Sequence, residues 1–195
     1  MSFHRFRGTG RIAKVWMAAT TAAIVATLSL MAGPASAATP SPSSPPTPPG
    51  AIHAQMTLNC TTMTAQARAY ALSHGYCPTS TGGATPNAVA YGNCGDSWIY
   101  IFDATGGYAD IDYGFDSSLG AVTYRNLAVQ YWGVDDSGGW PDQAWMASST
   151  YASARSGNYV GRYGEAWALE QGTVTLWWGG QCTLLSPEDS TYMGS

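Results

Sequence analysis

The chain has 195 residues, 45% apolar and only 10% charged, with a formal net charge of −4. Beyond Lys14 its only cations are Arg68, Arg125, Arg155 and Arg162, which stand singly. Nucleic acid is therefore not expected as a partner, because neutralising phosphates takes grouped Lys and Arg, and an acidic balance also opposes anionic membranes.

Taken in chain order, His4, Arg5, Arg7, Arg11 and Lys14 precede an apolar stretch from Val15 to Ala32, and Ala35-Ser36-Ala37 follows. That is the pattern of a secretion signal over residues 1–37, cleaved after Ala37. Thr20, Thr21, Thr27 and Ser29 dilute the apolar stretch and Gly33-Pro34 breaks it, which argues against a retained anchor. Phe6 separates Arg5 from Arg7, so the twin-arginine pattern is absent. Removal of the signal leaves four arginines against twelve acids, a net charge of −8. No second stretch is apolar enough to span a bilayer, so no membrane association is expected after cleavage.

Residues 38–50, ATPSPSSPPTPPG, are too rich in proline for helix or sheet and read as an extended tether. Ala51 to Asn59 is a short mixed segment, an extended strand either packed on the domain or offered to a partner. Thr61 to His74 predicts a helix near 62–74, with alanines at 65, 67, 69 and 71, a face of Met63, Ala67, Tyr70 and Ala71, an N-cap at Thr61 or Thr62 and a stop at Gly75. Pro78 to Asn93 reads as loop.

After Cys94 the period is that of sheet. Trp98 to Asp103 reads as a central strand, and Thr105-Gly106-Gly107 as a tight turn into Tyr108–Asp116. There Ala109, Ile111, Tyr113 and Phe115 share one face, and Asp110, Asp112 and Asp116 the other. Ala121 to Trp132 is a longer strand, followed by a polar loop at 135–139 and an irregular stretch carrying Trp140, Trp145 and Met146. Asn158 to Glu170 alternates again, Gln171-Gly172 reads as a turn into Thr173–Trp178, and the tail ending Met193-Gly194-Ser195 is expected to fray. Residues 51–195 thus form one mainly β domain, an antiparallel β-sandwich or partly closed barrel with one N-terminal disulfide-pinned α-helix.

Four cysteines behind a secretion signal, Cys60, Cys77, Cys94 and Cys182, read as two disulfides. Three connectivities are open. Cys60 with Cys77 and Cys94 with Cys182 is favoured, because the first staples the helical unit and the second ties the start of the β region to its end. The cysteines lack the close pairs and neighbouring histidines of a zinc site, so neither metal nor other cofactor is expected.

Catalytic groups are sparse. His53 and His74 are the only histidines beyond residue 37, and neither lies in a nucleophile motif. Asp110, Asp112 and Glu165 are the carboxylates that a glycan hydrolase would use, but acids alternating with apolar residues are also the ordinary wet face of a sheet. Asp135, Asp136 and Asp142 supply oxygen donors without an EF-hand spacing. The aromatic surplus is the stronger signal. Trp98, Tyr113, Phe115 and Trp177 are expected in the core, whereas Tyr131, Trp132, Trp140 and Trp145 flank a Gly/Asp loop and suit either sugar stacking or a protein interface.

Cys60, the alanine-rich helix, His74-Gly75-Tyr76-Cys77-Pro78, Asn93-Cys94-Gly95 and Trp178-Gly179-Gly180-Gln181-Cys182 together resemble a group of small secreted actinobacterial proteins. Within that group the pattern is similar to the bridging subunits of umbrella toxin particles, adaptors that link a lectin subunit to the spokes of a large polymorphic toxin. The resemblance implies a non-enzymatic secreted adaptor with lectin-like and large toxin-like partners. Its N-terminal segment, Ala38 to His53, would engage one partner and its β domain the other. The partner-binding candidates are Pro48, Pro49, Ala51, Ile52, His53, Trp132, Trp140 and Trp145. A carbohydrate-binding module, a small glycan hydrolase and a secreted protease inhibitor are the alternative functions.

Overall fold

The computed structural model of the protein describes residues 47–79 and 91–194. The expected signal over 1–37, the tether up to residue 46, residues 80–90 of the expected loop, and Ser195 lie outside them.

The described chain folds as β1 (Ile52–Asn59), α1 (Ala65–Ser73), β2 (Tyr91–Asp103), β3 (Tyr108–Ser117), β4 (Val122–Trp132), β5 (Ser137–Ser148), β6 (Thr150–Tyr159), β7 (Gly164–Leu176), β8 (Gln181–Leu184) and β9 (Glu188–Met193). The strands form one antiparallel sheet in the order β5-β4-β7-β8-β1-β2-β3-β6, with β9 also on β7. The sheet curls into a nearly closed barrel. β8 and β9 run in turn along β7, with Ser186 at φ 53 in the bend between them. β5 and β6 end the order on opposite sides, although only Ser149 separates them in sequence. No ladder joins them among the described residues, so this junction is the open seam of the barrel.

Alternation selects the inward face of each strand. Ala109, Ile111, Tyr113 and Phe115 of β3, Leu127 and Val129 of β4, and Ala166, Ala168, Val174 and Leu176 of β7 are buried in one core with Ile99, Ile101, Met56 and Leu58. Trp98 is also buried, but in phase opposite to Ile99 and Ile101. Gly114 accommodates it: a Cβ there would lie 2.8 Å from the Trp98 ring and 2.1 Å from the Tyr151 carbonyl oxygen.

The disulfides are Cys60–Cys77, which brackets α1, and Cys94–Cys182, which joins β2 to β8. Such bonds belong to an oxidising compartment. No helix among the described residues is long and apolar enough to cross a membrane. The helix starts later than Thr61 or Thr62 as caps would place it. Asn59 instead accepts hydrogen bonds from the backbone of Thr61 and Thr62, and Thr64 caps α1 by accepting from the Ala67 N–H at 3.2 Å. Gly75, at φ +70, follows the His74 C-cap.

Several boundaries differ from the sequence reading. β2 begins at Tyr91, inside the expected loop. The stretch with Trp140, Trp145 and Met146 is not irregular but the strand β5, in which Trp140, Asp142, Ala144 and Met146 are partly buried and alternate with exposed residues. Asn158–Glu170 is not one strand: β6 ends at Tyr159 and β7 starts at Gly164. Gln171-Gly172 makes no turn, since β7 runs straight through it. Gly172 is there because a Cβ would sit 2.3 Å from the Asn126 carbonyl oxygen of β4. The tail does not fray before Met193, which is buried at the end of β9.

Candidate functional site

A polar cluster lies inside the seam. In β4, Arg125 shares the inward phase of Leu127, Val129 and Tyr131; in β5, Asp142 shares that of Trp140 and Met146. Arg125 Nη2 and Nε lie 2.8 and 2.9 Å from Asp142 Oδ1. The Tyr113 hydroxyl of β3 donates to Asp142 Oδ2 at 3.0 Å, and the Tyr151 hydroxyl of β6 donates to the same oxygen. The Trp140 indole N–H in turn donates to the Tyr113 hydroxyl at 3.2 Å. Two cation–π contacts complete the cluster, Arg125 at 3.9 Å over Tyr151 and Arg155 at 4.5 Å over Trp140. Side chains thus join β5 to β6 where backbone hydrogen bonds do not.

The electrostatics follow from burial. Desolvation opposes ionisation of Asp142, but the Arg125 guanidinium and the Tyr151 and Tyr113 hydroxyls outweigh it and hold the carboxyl below its ordinary value. Burial raises both tyrosines, and the Asp142 charge adds to this. Glu170 of β7 is different. It is fully buried, neither carboxyl oxygen has a hydrogen-bond partner among the described residues, and desolvation, with Asp142 adding to it, raises it well above the usual carboxylate range. Burial therefore favours its protonated, uncharged form.

This cluster fixes Trp140, which forms part of an open cleft. A cavity of about 560 Å3 lies along Ala128–Trp132 of β4 and Ser137–Pro141 of β5, with Tyr131, Trp132 and Trp140 in its lining. Gly138 leaves room for the Tyr131 ring there, whose hydroxyl a Cβ would meet at 2.5 Å. Clefts of this size and mixed lining accept a side chain or small group from a partner.

Of the partner-binding candidates, the structure gathers Trp132 and Trp140 at that cleft and leaves the others apart. Trp145 is 81% exposed on β5, packed against Tyr124 with ring centroids 5.0 Å apart. Pro48, Pro49 and Ala51 form a turn closed by an Ala51 N–H donating to the Pro48 carbonyl at 3.2 Å. Ile52 and His53 are the start of β1, paired with Ile99 and Trp98. The arm expected to reach His53 therefore ends at Ala51, since from Ile52 onward the backbone is committed to the sheet.

The other candidate groups are dispersed. Asp110 accepts from the Gly157 N–H at 3.0 Å, and Asp112 on the same strand is raised by partial burial and by the Asp110 charge. Glu165 is exposed on β7, separated from β3 by three intervening strands in the sheet order. Asp136 accepts from the Ser137 N–H, Asp135 accepts from the Tyr159 hydroxyl at 3.4 Å, and Asp142 is held by Arg125. Among the described residues no three His, Cys, Asp or Glu stand together as a metal site would require. His53 is exposed, and His74 contacts the Tyr70 carbonyl at 2.9 Å as the helix C-cap. Trp177, expected in the core, is 56% exposed, because it lies in the turn between β7 and β8 instead of within a strand.

The sequence reading missed Arg125, Tyr151 and Glu170 as a group. For Arg125 and Glu170 the signal was phase: each falls on the apolar face of its own strand, where an ionisable group must find partners or change its charge, whereas Tyr151 lies in β6, which has no such apolar face. Comparisons with protein-family models, curated proteins and solved structures give no match to this chain.

Proposed function

We propose that this chain is a secreted, non-enzymatic adaptor that holds two protein partners, one lectin-like and one a larger toxin component, as the resemblance implies. The observation that carries this reading is the cleft between β4 and β5, whose aromatic wall is preorganised. Trp140 is fixed by a hydrogen bond, by ring contact with Tyr113 and Tyr131, and by the Arg155 cation. A rigid aromatic at a cleft binds without a large ordering cost, as interface anchors do. The proline density of residues 38–50 limits the conformational entropy that segment has to lose, which suits it to a partner's groove.

The test is recovery of the tagged full-length protein from the culture medium of its own organism, with a Trp132→Ala variant in parallel. Stoichiometric lectin-like and large toxin-like chains with the wild type, and loss of one of them with the variant, support the reading. Recovery of the wild type alone overturns it.

A further inference from the structure

A second aromatic assembly lies where α1 meets the turn between β7 and β8. Tyr70 is its centre: its ring stacks on His74 at 4.0 Å and on Trp178 at 5.2 Å, and meets Trp177 edge-on at 5.4 Å. Tyr76 closes the group at 5.9 Å from Trp178. A concave cavity of about 420 Å3 opens beside it, lined by Thr64, Gln66, Ala67, Tyr70, Trp177, Trp178 and Gly179. That volume falls within the range of small-ligand sites, about 300–1,000 Å3.

The exposed indole of Trp177 is held in place. Its backbone N–H donates to the Ala121 carbonyl at 2.9 Å, and a Cβ on Gly120, whose φ is +100, would meet its Nε1 at 3.0 Å. Its neighbour Trp178 is anchored by an indole N–H donating to the Leu119 carbonyl at 3.3 Å. The Cys60–Cys77 disulfide fixes the opposite wall by bracketing α1. Trp177 is 56% exposed, with its backbone anchored and its ring against Gly120 and Tyr70, and its indole N–H makes no hydrogen bond among the described residues.

The lining selects the ligand chemistry. It holds no charged residue, so an anion finds no counter-charge within it and a cation would meet only the aromatic faces. It offers no backbone edge for an extended peptide, since the turn N–H groups of Leu176, Trp177 and Gly179 are already donated to Gly180, Ala121 and Leu176. What remains is an aromatic face with an uncharged amide, Gln66, and the Thr64 hydroxyl, which accepts the Ala67 N–H and keeps its own proton to donate. A pyranose ring has the complementary form, with an apolar C–H face and a rim of neutral hydroxyls. Trp145 is more exposed than Trp177, but it rests on Tyr124 alone and lines none of these cavities.

We infer that Trp177, Tyr70 and Gln66 form a binding site for a neutral pyranose unit of a glycan. The site is separate from the β4–β5 cleft and does not depend on the adaptor reading. The experiment titrates purified protein with soluble cello-, chito-, laminari- and manno-oligosaccharides, read by tryptophan fluorescence and calorimetry. Saturable binding of at least one, weakened tenfold or more in Trp177→Ala and several-fold in Gln66→Ala, and unchanged in Trp145→Ala and Trp132→Ala, is the expected result. Circular dichroism of each variant verifies the fold. No saturable binding to any of the four, or binding that Trp145→Ala or Trp132→Ala removes while Trp177→Ala retains it, overturns the site.

Discussion

Arg125 and Asp142 form an ion pair at 2.8 Å between β4 and β5, and the same carboxylate accepts hydroxyls from β3 and β6. One aspartate therefore ties together four strands, two on each side of the seam. Both side chains are about one-seventh exposed or less, so solvent screens the pair only partly.

Loss of either partner leaves the other charge poorly solvated. Asp142→Asn and Arg125→Met are each expected to lower unfolding stability by roughly 3 kcal/mol, the lower end of the range for breaking a buried pair. The double variant should lose less than the sum. Urea unfolding of the four proteins, analysed as a double-mutant cycle, measures the coupling. Strict additivity would show that the seam is held by something else.

Glu170 and Asp142 predict opposite arms of a pH–stability profile. The folded-state value of Glu170 is raised by burial, with Asp142 adding to it, so the native protein keeps a proton that the unfolded chain releases from about pH 4.5 upward. Stability then falls as pH rises through that window towards the folded-state value. Asp142 is lowered by Arg125 and the two hydroxyls against its own desolvation, so its contribution is present above 3.8 and is lost as pH falls through its folded-state value. Maximum stability is expected in mildly acidic solution. Glu170→Leu should gain roughly 1–3 kcal/mol at pH 7 by removing an unpartnered buried polar group. It should also flatten the alkaline arm, as urea midpoints at pH 4.5, 7 and 9 will show.

The disulfides differ in the loops they close. Their sequence separations are 17 and 88 residues, which in the chain-entropy model correspond to about 3 and about 4.5 kcal/mol. Paired alanine replacement of Cys94 and Cys182 should therefore lower the thermal midpoint more than the same change at Cys60 and Cys77. The reverse order would mean that the local staple on α1 governs stability.

Gly114 is buried between strands and faces Trp98. Gly114→Ala should cost about 1–3 kcal/mol by overpacking, with a shift of tryptophan emission as Trp98 is displaced. Unchanged emission and stability would show that the outer face yields to the added methyl.

The strands of strong alternation were legible: Tyr108–Asp116 and Ala121–Trp132 were read within one residue of β3 and β4. β5 was missed because glycines 138 and 139 and Pro141 carry turn chemistry, and pairing with β4 overrides that local preference. Gly172 misled in the same way, as its missing side chain serves close approach to β4. Aromatic content points to Tyr131, Trp132, Trp140 and Trp145, of which the structure brings the first three to one cleft and leaves Trp145 apart. It could not separate Trp177 from the core, because the turn that exposes it depends on Gly179 and Gly180 and on a long-range bond to Ala121. The Arg125–Asp142 pair was beyond reading, since β4 and β5 had not been paired.

The proposed adaptor role puts the chain between two other proteins. Light scattering on the tagged protein recovered from culture medium, with mass spectrometry of the same peak, decides whether it does. A complex of this chain with two different partner chains in fixed ratio is expected. A monomer of this chain alone would rule the adaptor role out.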